Sequence, residues 1–156
     1  MLKRKEVRKI EWTTHMLSGA LAGYAVTSDL KGAIIGGIAG VIPDLDEPRS
    51  KFGRMLPFVS VPLNRLVGHR TFTHSLLFAG IAGLFLWPFI GQPHALAVTL
   101  GILAHVAGDL LTGKVQVLYP NPMRIGISVS RFGFLVMDRL ARISLIVIIV
   151  AWIFTG

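Results

Sequence analysis

Apolar and polar residues follow one another in blocks along this chain, and each long apolar block has the length of a helix. The apolar blocks are residues 12–26, 33–42, 74–90, 95–111 and 143–154. Helices that are apolar on every side are buried or span membranes. The pattern therefore predicts an all-α, polytopic membrane bundle of about five transmembrane helices, the last of which starts near Asp138.

The first two apolar blocks are short for the roughly 20 residues that a membrane crossing needs. Both are rich in small residues, with Gly19 and Gly23 in the first and Gly36 and Gly37 in the second. Small residues let helix backbones approach closely in lipid. We expect a tight helical hairpin that is either thinly inserted or re-entrant.

Two polar segments separate the apolar blocks. Residues 44–73 are predicted to form a loop, in which the proline-broken stretch 55–63 is too short to span and lies in the membrane interface. Residues 113–131 carry alternating apolar positions around Asn121-Pro122, a pattern typical of a small β-hairpin or an extended flap.

Composition supports a membrane protein. The chain is 53% hydrophobic and only 15% charged, whereas a soluble domain carries about 25% charged residues. Its 156 residues suit a single domain over 1–156. The net charge of +8 favours anionic lipid headgroups as partners. Nucleic acid is an unlikely partner, because no aromatic-studded strand or groove-reading helix is recognisable.

Basic residues define a topology. Lys and Arg concentrate in cytoplasmic loops, and here they lie in 1–11, 44–73 and 113–142, while the turns at 27–32 and 91–94 are nearly uncharged. The distribution predicts a multi-pass protein of the inner (cytoplasmic) membrane with its N-terminus in the cytoplasm.

Seven histidine and aspartate residues fall on the predicted cytoplasmic side. They are His15, Asp44, Asp46, His69, His74, His105 and Asp109. Ionisable residues inside spanning segments are costly and usually functional, and His105 and Asp109, four apart, share a helix face. His94 lies in the opposite turn and is interpreted as an ordinary interfacial residue. The seven are predicted to bind one or two divalent metal ions.

The chain contains no cysteine, so a metal would be held by imidazole and carboxylate groups. Such ligands suit zinc first, with manganese, iron or magnesium also open. The chemistry we expect is hydrolysis, in which a metal lowers the pKa of bound water. Arg70, Asp46 and His69 are the predicted catalytic residues, with Arg70 as a phosphate clamp or, alternatively, a headgroup contact.

Other side chains have simpler expected roles. Thr14, Thr73, Ser75 and Thr112 would orient the metal ligands or cap helices. Asp138 is expected to pair with an arginine.

These residues resemble a known family. His15 with Gly19, the run Pro43–Asp46, the run His69–Ser75 and the run His105–Thr112 are similar to the YdjM-type family, inner-membrane proteins described as metal-dependent hydrolases. A more distant similarity is to zinc-dependent phospholipase C, in which a His-x-x-x-Asp pair helps to bind a metal cluster. This chain lacks the processed N-terminal ligand of those enzymes, so the resemblance implies two metals rather than three. It also implies a phosphoester as substrate. A site at headgroup depth suits a lipid or another amphiphile, whose tail stays in the bilayer.

Two alternatives come from other classes of protein. An ion transporter would line a path through the middle of the membrane with polar residues. In the predicted topology, the half of the bundle away from the cytoplasm has no such ligands. A non-enzymatic scaffold or regulatory protein would bind a soluble protein partner through the basic loops and would need no metal.

Overall fold

The computed structural model describes residues 12–155, and most of this part of the chain is α-helical. Its α-helices are α1 (Trp12–Thr27), α2 (Leu30–Ala39), α3 (Lys51–Met55), α4 (Pro57–Val67), α5 (Leu76–Ile90), α6 (Gln92–Leu110) and α7 (Arg131–Thr155). Two short 3-10 helices, Ile42–Asp46 and Phe72–His74, follow α2 and precede α5. The all-α prediction is confirmed. The basic N-terminal segment 1–11 lies outside the described residues.

Glycine contacts hold α1, α2 and α6 together. A Cβ atom added to Gly36 would lie 2.3 Å from the Gly19 carbonyl oxygen, and one added to Gly101 would lie 2.4 Å from the Gly36 carbonyl oxygen. No side chain fits between backbones at such distances. The tight hairpin of the first two helices is therefore confirmed, and α6 packs against the same glycine face.

The small apolar core lies where α2, α5 and α6 meet. Its buried members are Ala39, Ala79, Val98 and Ile102. Helix α7 instead packs on α1, where Asp138 accepts a hydrogen bond from the Thr14 hydroxyl at 2.8 Å and pairs with Arg142 at 2.5 Å. The expected pairing of Asp138 with an arginine is confirmed.

Three segments differ from the sequence predictions. The predicted loop 44–73 contains α3, which Ser50 caps by accepting a hydrogen bond from the Gly53 N–H at 2.8 Å, and α4, which begins at Pro57. Proline suits the first turn of a helix because its missing N–H has no partner there anyway. Helix α7 starts at Arg131 rather than near Asp138.

The predicted flap has little regular structure. Within the described residues its strand pairing is a single antiparallel bridge between Val115 and Ile125, whose N–H groups and carbonyls exchange hydrogen bonds of 2.8 and 2.9 Å. The segment is therefore extended rather than a developed hairpin. Two further hydrogen bonds join this segment to the part of the protein just before α5. The Gln116 N–H donates to the Arg70 carbonyl, and the Leu76 N–H donates to the Val117 carbonyl, both at 3.0 Å.

Helix length bears on the number of crossings. In the part of the chain that the structure describes, α6 is the one helix long and apolar enough to cross a membrane, and α5 is a shorter apolar helix. The ten residues of α2 extend only about 15 Å, half the thickness of a bilayer's hydrocarbon core. Five complete crossings are therefore not established by the helices themselves.

The turns predicted to lie on the distal side meet in the structure. The Nε2 atom of His94, at the start of α6, lies 3.4 Å from the Asp29 carboxylate at the start of α2. Asp29 also caps α2 by accepting a hydrogen bond from the Gly32 N–H at 2.5 Å. The α1–α2 and α5–α6 turns thus occupy one end of the bundle.

The glycine contacts can be tested by adding one methyl group. We expect Gly36→Ala to destabilise the protein by about 1–3 kcal/mol or more, because the methyl group would overlap the Gly19 carbonyl. The matched control is Gly80→Ala in α5, where an added Cβ meets nothing within 4 Å. Thermal unfolding in detergent should show a lower Tm for the first variant only. An equal Tm for both variants would contradict the close approach.

Candidate metal centre

Histidines from α1 and α6 stack at the end of the bundle opposite His94. The His15 and His105 ring centroids are 3.7 Å apart with the rings nearly parallel, at 21°. His105 Nδ1 lies 2.7 Å from the carbonyl oxygen of Gly40, so this nitrogen carries the proton and donates. The Nε2 atom of His105 then carries the lone pair, the arrangement usual for metal-binding histidines, and lies 3.2 Å from His74 Nε2.

Asp109, one turn further along α6, is surrounded by cationic and imidazole groups. Arg70 donates to both carboxylate oxygens, from Nε at 2.8 Å and from Nη2 at 2.7 Å. His74 Nε2 lies 3.2 Å from one oxygen and His15 Nε2 lies 3.7 Å from the other. Because all four residues are buried, these charges interact through a medium of low dielectric.

Asp46 forms the second carboxylate centre, at the end of the 3-10 helix that follows α2. One oxygen lies 2.6 Å from His69 Nδ1. The other lies 3.1 Å from His74 Nδ1 and accepts a hydrogen bond from the Thr73 hydroxyl. The Arg70 N–H also donates to it at 3.2 Å. His74 therefore bridges the two centres, with one ring nitrogen near each carboxylate.

The pKa values of the bridging groups follow from these contacts. Burial alone raises the pKa of Asp46, but the hydrogen bonds with His69 and His74 outweigh it and hold that pKa below its usual range. Burial alone lowers the pKa of His74, yet its bonds to Asp109 and Asp46 raise it to about 9. The two carboxylates thus favour the protonated form of the His74 imidazole.

The seven predicted ligands form three overlapping groups. These are His15–His105–Asp109, Asp44–His74–His105 and Asp46–His69–His74, and within each group the ligand atoms all lie within 4.8 Å of one another. Bonds of about 2.1 Å to a tetrahedral ion place ligands about 3.4 Å apart. Small inward shifts would therefore suffice for one ion, and the two outer groups offer separate positions for two.

Two imidazole nitrogens give an independent indication of a ligand. His15 Nε2 and His69 Nε2 are both buried, and neither has a hydrogen-bond partner among the described residues. A buried polar atom without a partner costs about 1–3 kcal/mol. His15 and His69 belong to the two different outer groups. A cation in each group would give both nitrogens a partner, so the residues present fit divalent metal ions.

The structure brings all seven predicted ligands together and places His94 at the other end. It also gives Arg70 a partner that the phosphate-clamp prediction did not include, since the guanidinium holds Asp109. Gly113 makes room for it: a Cβ there would lie 1.7 Å from Arg70 Nη1.

The orienting hydroxyls divide between two roles. Thr73 bonds Asp46 as expected of an orienting residue, whereas Ser75 caps α5 by accepting a hydrogen bond from the Phe78 N–H at 3.1 Å. Gly40 and Gly113 were not recognised from the sequence, because they contribute a carbonyl and an empty space rather than a functional side chain.

Comparison with known proteins finds one matching family and several similar bacterial proteins. The family described as YdjM inner membrane protein matches residues 10–156. YvsG of Bacillus subtilis (strain 168) is 32% identical over 119 residues, which are 72% of this chain and 74% of YvsG. The inner membrane protein YdjM of Escherichia coli (strain K12) is 41% identical over 88 residues, which are 51% of this chain.

The aligned part is 44% of that Escherichia coli protein, so this chain spans less than half of it, and the same values hold for YdjM of Shigella flexneri. No solved structure matches the chain significantly. Because the family match extends over nearly the whole sequence, the chain belongs to the YdjM inner membrane protein family.

Proposed function

We propose that this protein is a membrane-bound, metal-dependent hydrolase that cleaves a phosphoester of a lipid or amphiphilic substrate at the cytoplasmic face of the inner membrane. One observation carries the proposal. Seven imidazole and carboxylate residues from α1, α6, the two 3-10 helices and the loop at His69 converge in one cluster, of which all but His69 are buried, and two of the imidazoles have a buried nitrogen without a hydrogen-bond partner.

In this proposal His15, His105 and Asp109 hold one ion, and Asp46, His69 and His74 supply the second position. Asp44 lies with His74 and His105 between them. A bound divalent ion, zinc by ligand preference, lowers the pKa of a coordinated water and polarises phosphoryl oxygens.

If a single ion occupies the first position, Asp46 and His69 are free to move protons. The Asp46 carboxylate lies 2.6 Å from His69 Nδ1 and would fix the tautomer in which His69 Nε2 accepts a proton. The side chain of His69 is 21% exposed, whereas those of Asp46, His74 and Asp109 are almost completely buried. His69 therefore stands where a substrate and the buried cluster would meet.

Arg70 has two roles in the proposal. Its bidentate contact fixes the Asp109 carboxylate, and its positive charge would offset the negative charge that develops on phosphoryl oxygens. The Arg70 backbone has φ of 60°, a left-handed conformation that costs a non-glycine residue free energy and is often found at functional sites.

The proposed membrane topology is multi-pass with a cytoplasmic N-terminus. It is supported by the basic residues on the site's side of the chain and by the family's description as inner membrane protein. The contact between His94 and Asp29 is consistent with a separate, distal end.

One observation favours the alternative of a non-enzymatic scaffold. Arg70 contacts Asp109, and the His74 ring contacts both Asp109 and Asp46, so the two carboxylates already have partners without any ion. A scaffold could keep such a network for stability alone, and metal analysis separates the two functions.

The first test is metal content. Elemental analysis of the purified protein should find one or two divalent ions per chain. Loss of a residue that only hydrogen-bonds a metal ligand weakens metal binding about 10–100-fold. We expect His105→Ala, which removes a ligand itself, to weaken metal binding by more than that. The control His94→Ala, which removes a histidine from the opposite end, should leave metal content unchanged. Wild-type protein that binds no divalent ion when supplied with one would favour the scaffold.

The second test is hydrolysis of phospholipids in detergent mixed micelles, followed by release of phosphate or of the phosphorylated headgroup. We expect Asp46→Asn, which keeps the side-chain shape, and His69→Gln to lower kcat by about 100-fold or more. The control His94→Gln should retain activity. If wild type and Asp46→Asn turn over equally, Asp46 has no catalytic role.

The third test addresses topology and uses the absence of native cysteine. In intact spheroplasts a membrane-impermeant maleimide should label Lys31→Cys, in the distal turn. Arg124→Cys, in the extended segment near the site, should react only after the membrane is permeabilised. Both residues are exposed, so burial would not limit labelling. Labelling of Arg124→Cys from outside would reverse the proposed orientation.

A further inference from the structure

Helix α4 exposes large apolar side chains. Phe58 is 73%, Leu66 82% and Val59 39% exposed. Its inner side is mixed: Ser60 is buried, and the Asn64 side-chain amide donates to the Asp46 carbonyl at 2.7 Å, beside half-buried valine and leucine side chains. On a water-soluble surface a helix turns its apolar residues toward the core, whereas α4 directs three of its large ones outward.

Cationic side chains surround that apolar face. Arg49, Arg54 and Arg65 are all exposed. No ion pair joins any of them to an acidic group in the described part of the chain. Arg65 lies seven residues after Phe58 and one before Leu66, so it shares the outer side of α4 with them. An apolar face bordered by unpaired cations is complementary to acyl chains beneath anionic headgroups.

We propose that α4 lies in the headgroup region of an anionic lipid leaflet, with Phe58, Val59 and Leu66 directed toward the acyl chains and Arg54 and Arg65 among the phosphates. The partner is the lipid surface itself, because cations at both ends of the helix match the leaflet's charge. A soluble protein or a second copy of the chain on this face is an alternative outcome of the test.

The same helix connects the leaflet to the candidate centre. Asn64 holds the backbone of Asp46, and α4 ends at Gly68, directly before His69. In this step the inference rests on the proposed function: a phosphoester headgroup would approach His69 from the leaflet in which α4 lies. The lipid contact does not depend on metal or turnover, so it is measured without either.

The depth of α4 can be measured by fluorescence in lipid nanodiscs, because the chain has no cysteine of its own. Phe58→Cys and Leu66→Cys would each carry an NBD group, and both side chains are exposed, so labelling leaves the packing intact. We expect doxyl-labelled lipid to quench both probes while aqueous iodide does not. NBD on Lys31→Cys, in the polar distal turn, is the control and should be quenched by iodide.

Two results would overturn the inference. Strong iodide quenching at 58 and 66 would place α4 in water, and protection from both quenchers would place it against protein. If lipid quenches both probes but the protein binds no metal, the position of α4 is supported and the proposed hydrolase is contradicted. The two proposals can therefore be tested separately.

The anionic preference is tested with the same probe. At equal mole fraction, doxyl phosphatidylglycerol should quench NBD at position 58 at least about twofold more than doxyl phosphatidylcholine. Arg54→Gln combined with Arg65→Gln should remove at least half of that preference. An unchanged preference in the double variant would show that these cations do not recruit the lipid.

Discussion

The candidate centre depends on how closely the backbones of α1, α2 and α6 approach one another. Gly19, Gly36 and Gly101 leave no space for side chains between the three helices. Only at this separation can His15 stack on His105 and His105 reach the Gly40 carbonyl. In lipid there is no hydrophobic contrast to drive such association, so van der Waals contact between small residues has to supply it. The same glycines therefore position the ligands and hold the bundle together.

Buried charge is the second constraint on this arrangement. Carboxylates in a dry interior are tolerated only when cations and hydrogen bonds compensate them. Asp109 meets this need through Arg70, and Asp46 through His69, His74 and Thr73. After these contacts are made, the Nε2 atoms of His15 and His69 still have no hydrogen-bond partner among the described residues. The proposed metal site would use both nitrogens as ligands.

The sequence predicts the site better than it predicts the intervening chain. His105 and Asp109 lie one turn apart on an apolar helix, and charge distribution alone assigns the other five ligands to the same end. The Arg70–Asp109 pair was not predictable, because 39 positions separate its members and only tertiary packing joins them. The sequence predicts a loop where α4 lies, because prolines such as Pro57 and Pro62 usually interrupt helices. Pro57 instead occupies the first turn of the helix, where proline is tolerated.

Helix rise also sets how deep the centre lies in the proposed topology. From Thr27 back to His15 along α1, and from His94 to His105 along α6, the rise is about 17 Å in each case. If the distal turns lie at the far headgroups, a hydrocarbon core of about 30 Å places these histidines below the near surface rather than on it. A water-soluble substrate would then have to enter a dry region. An amphiphile would keep its tail in the leaflet and bring only its headgroup past α4 toward His69.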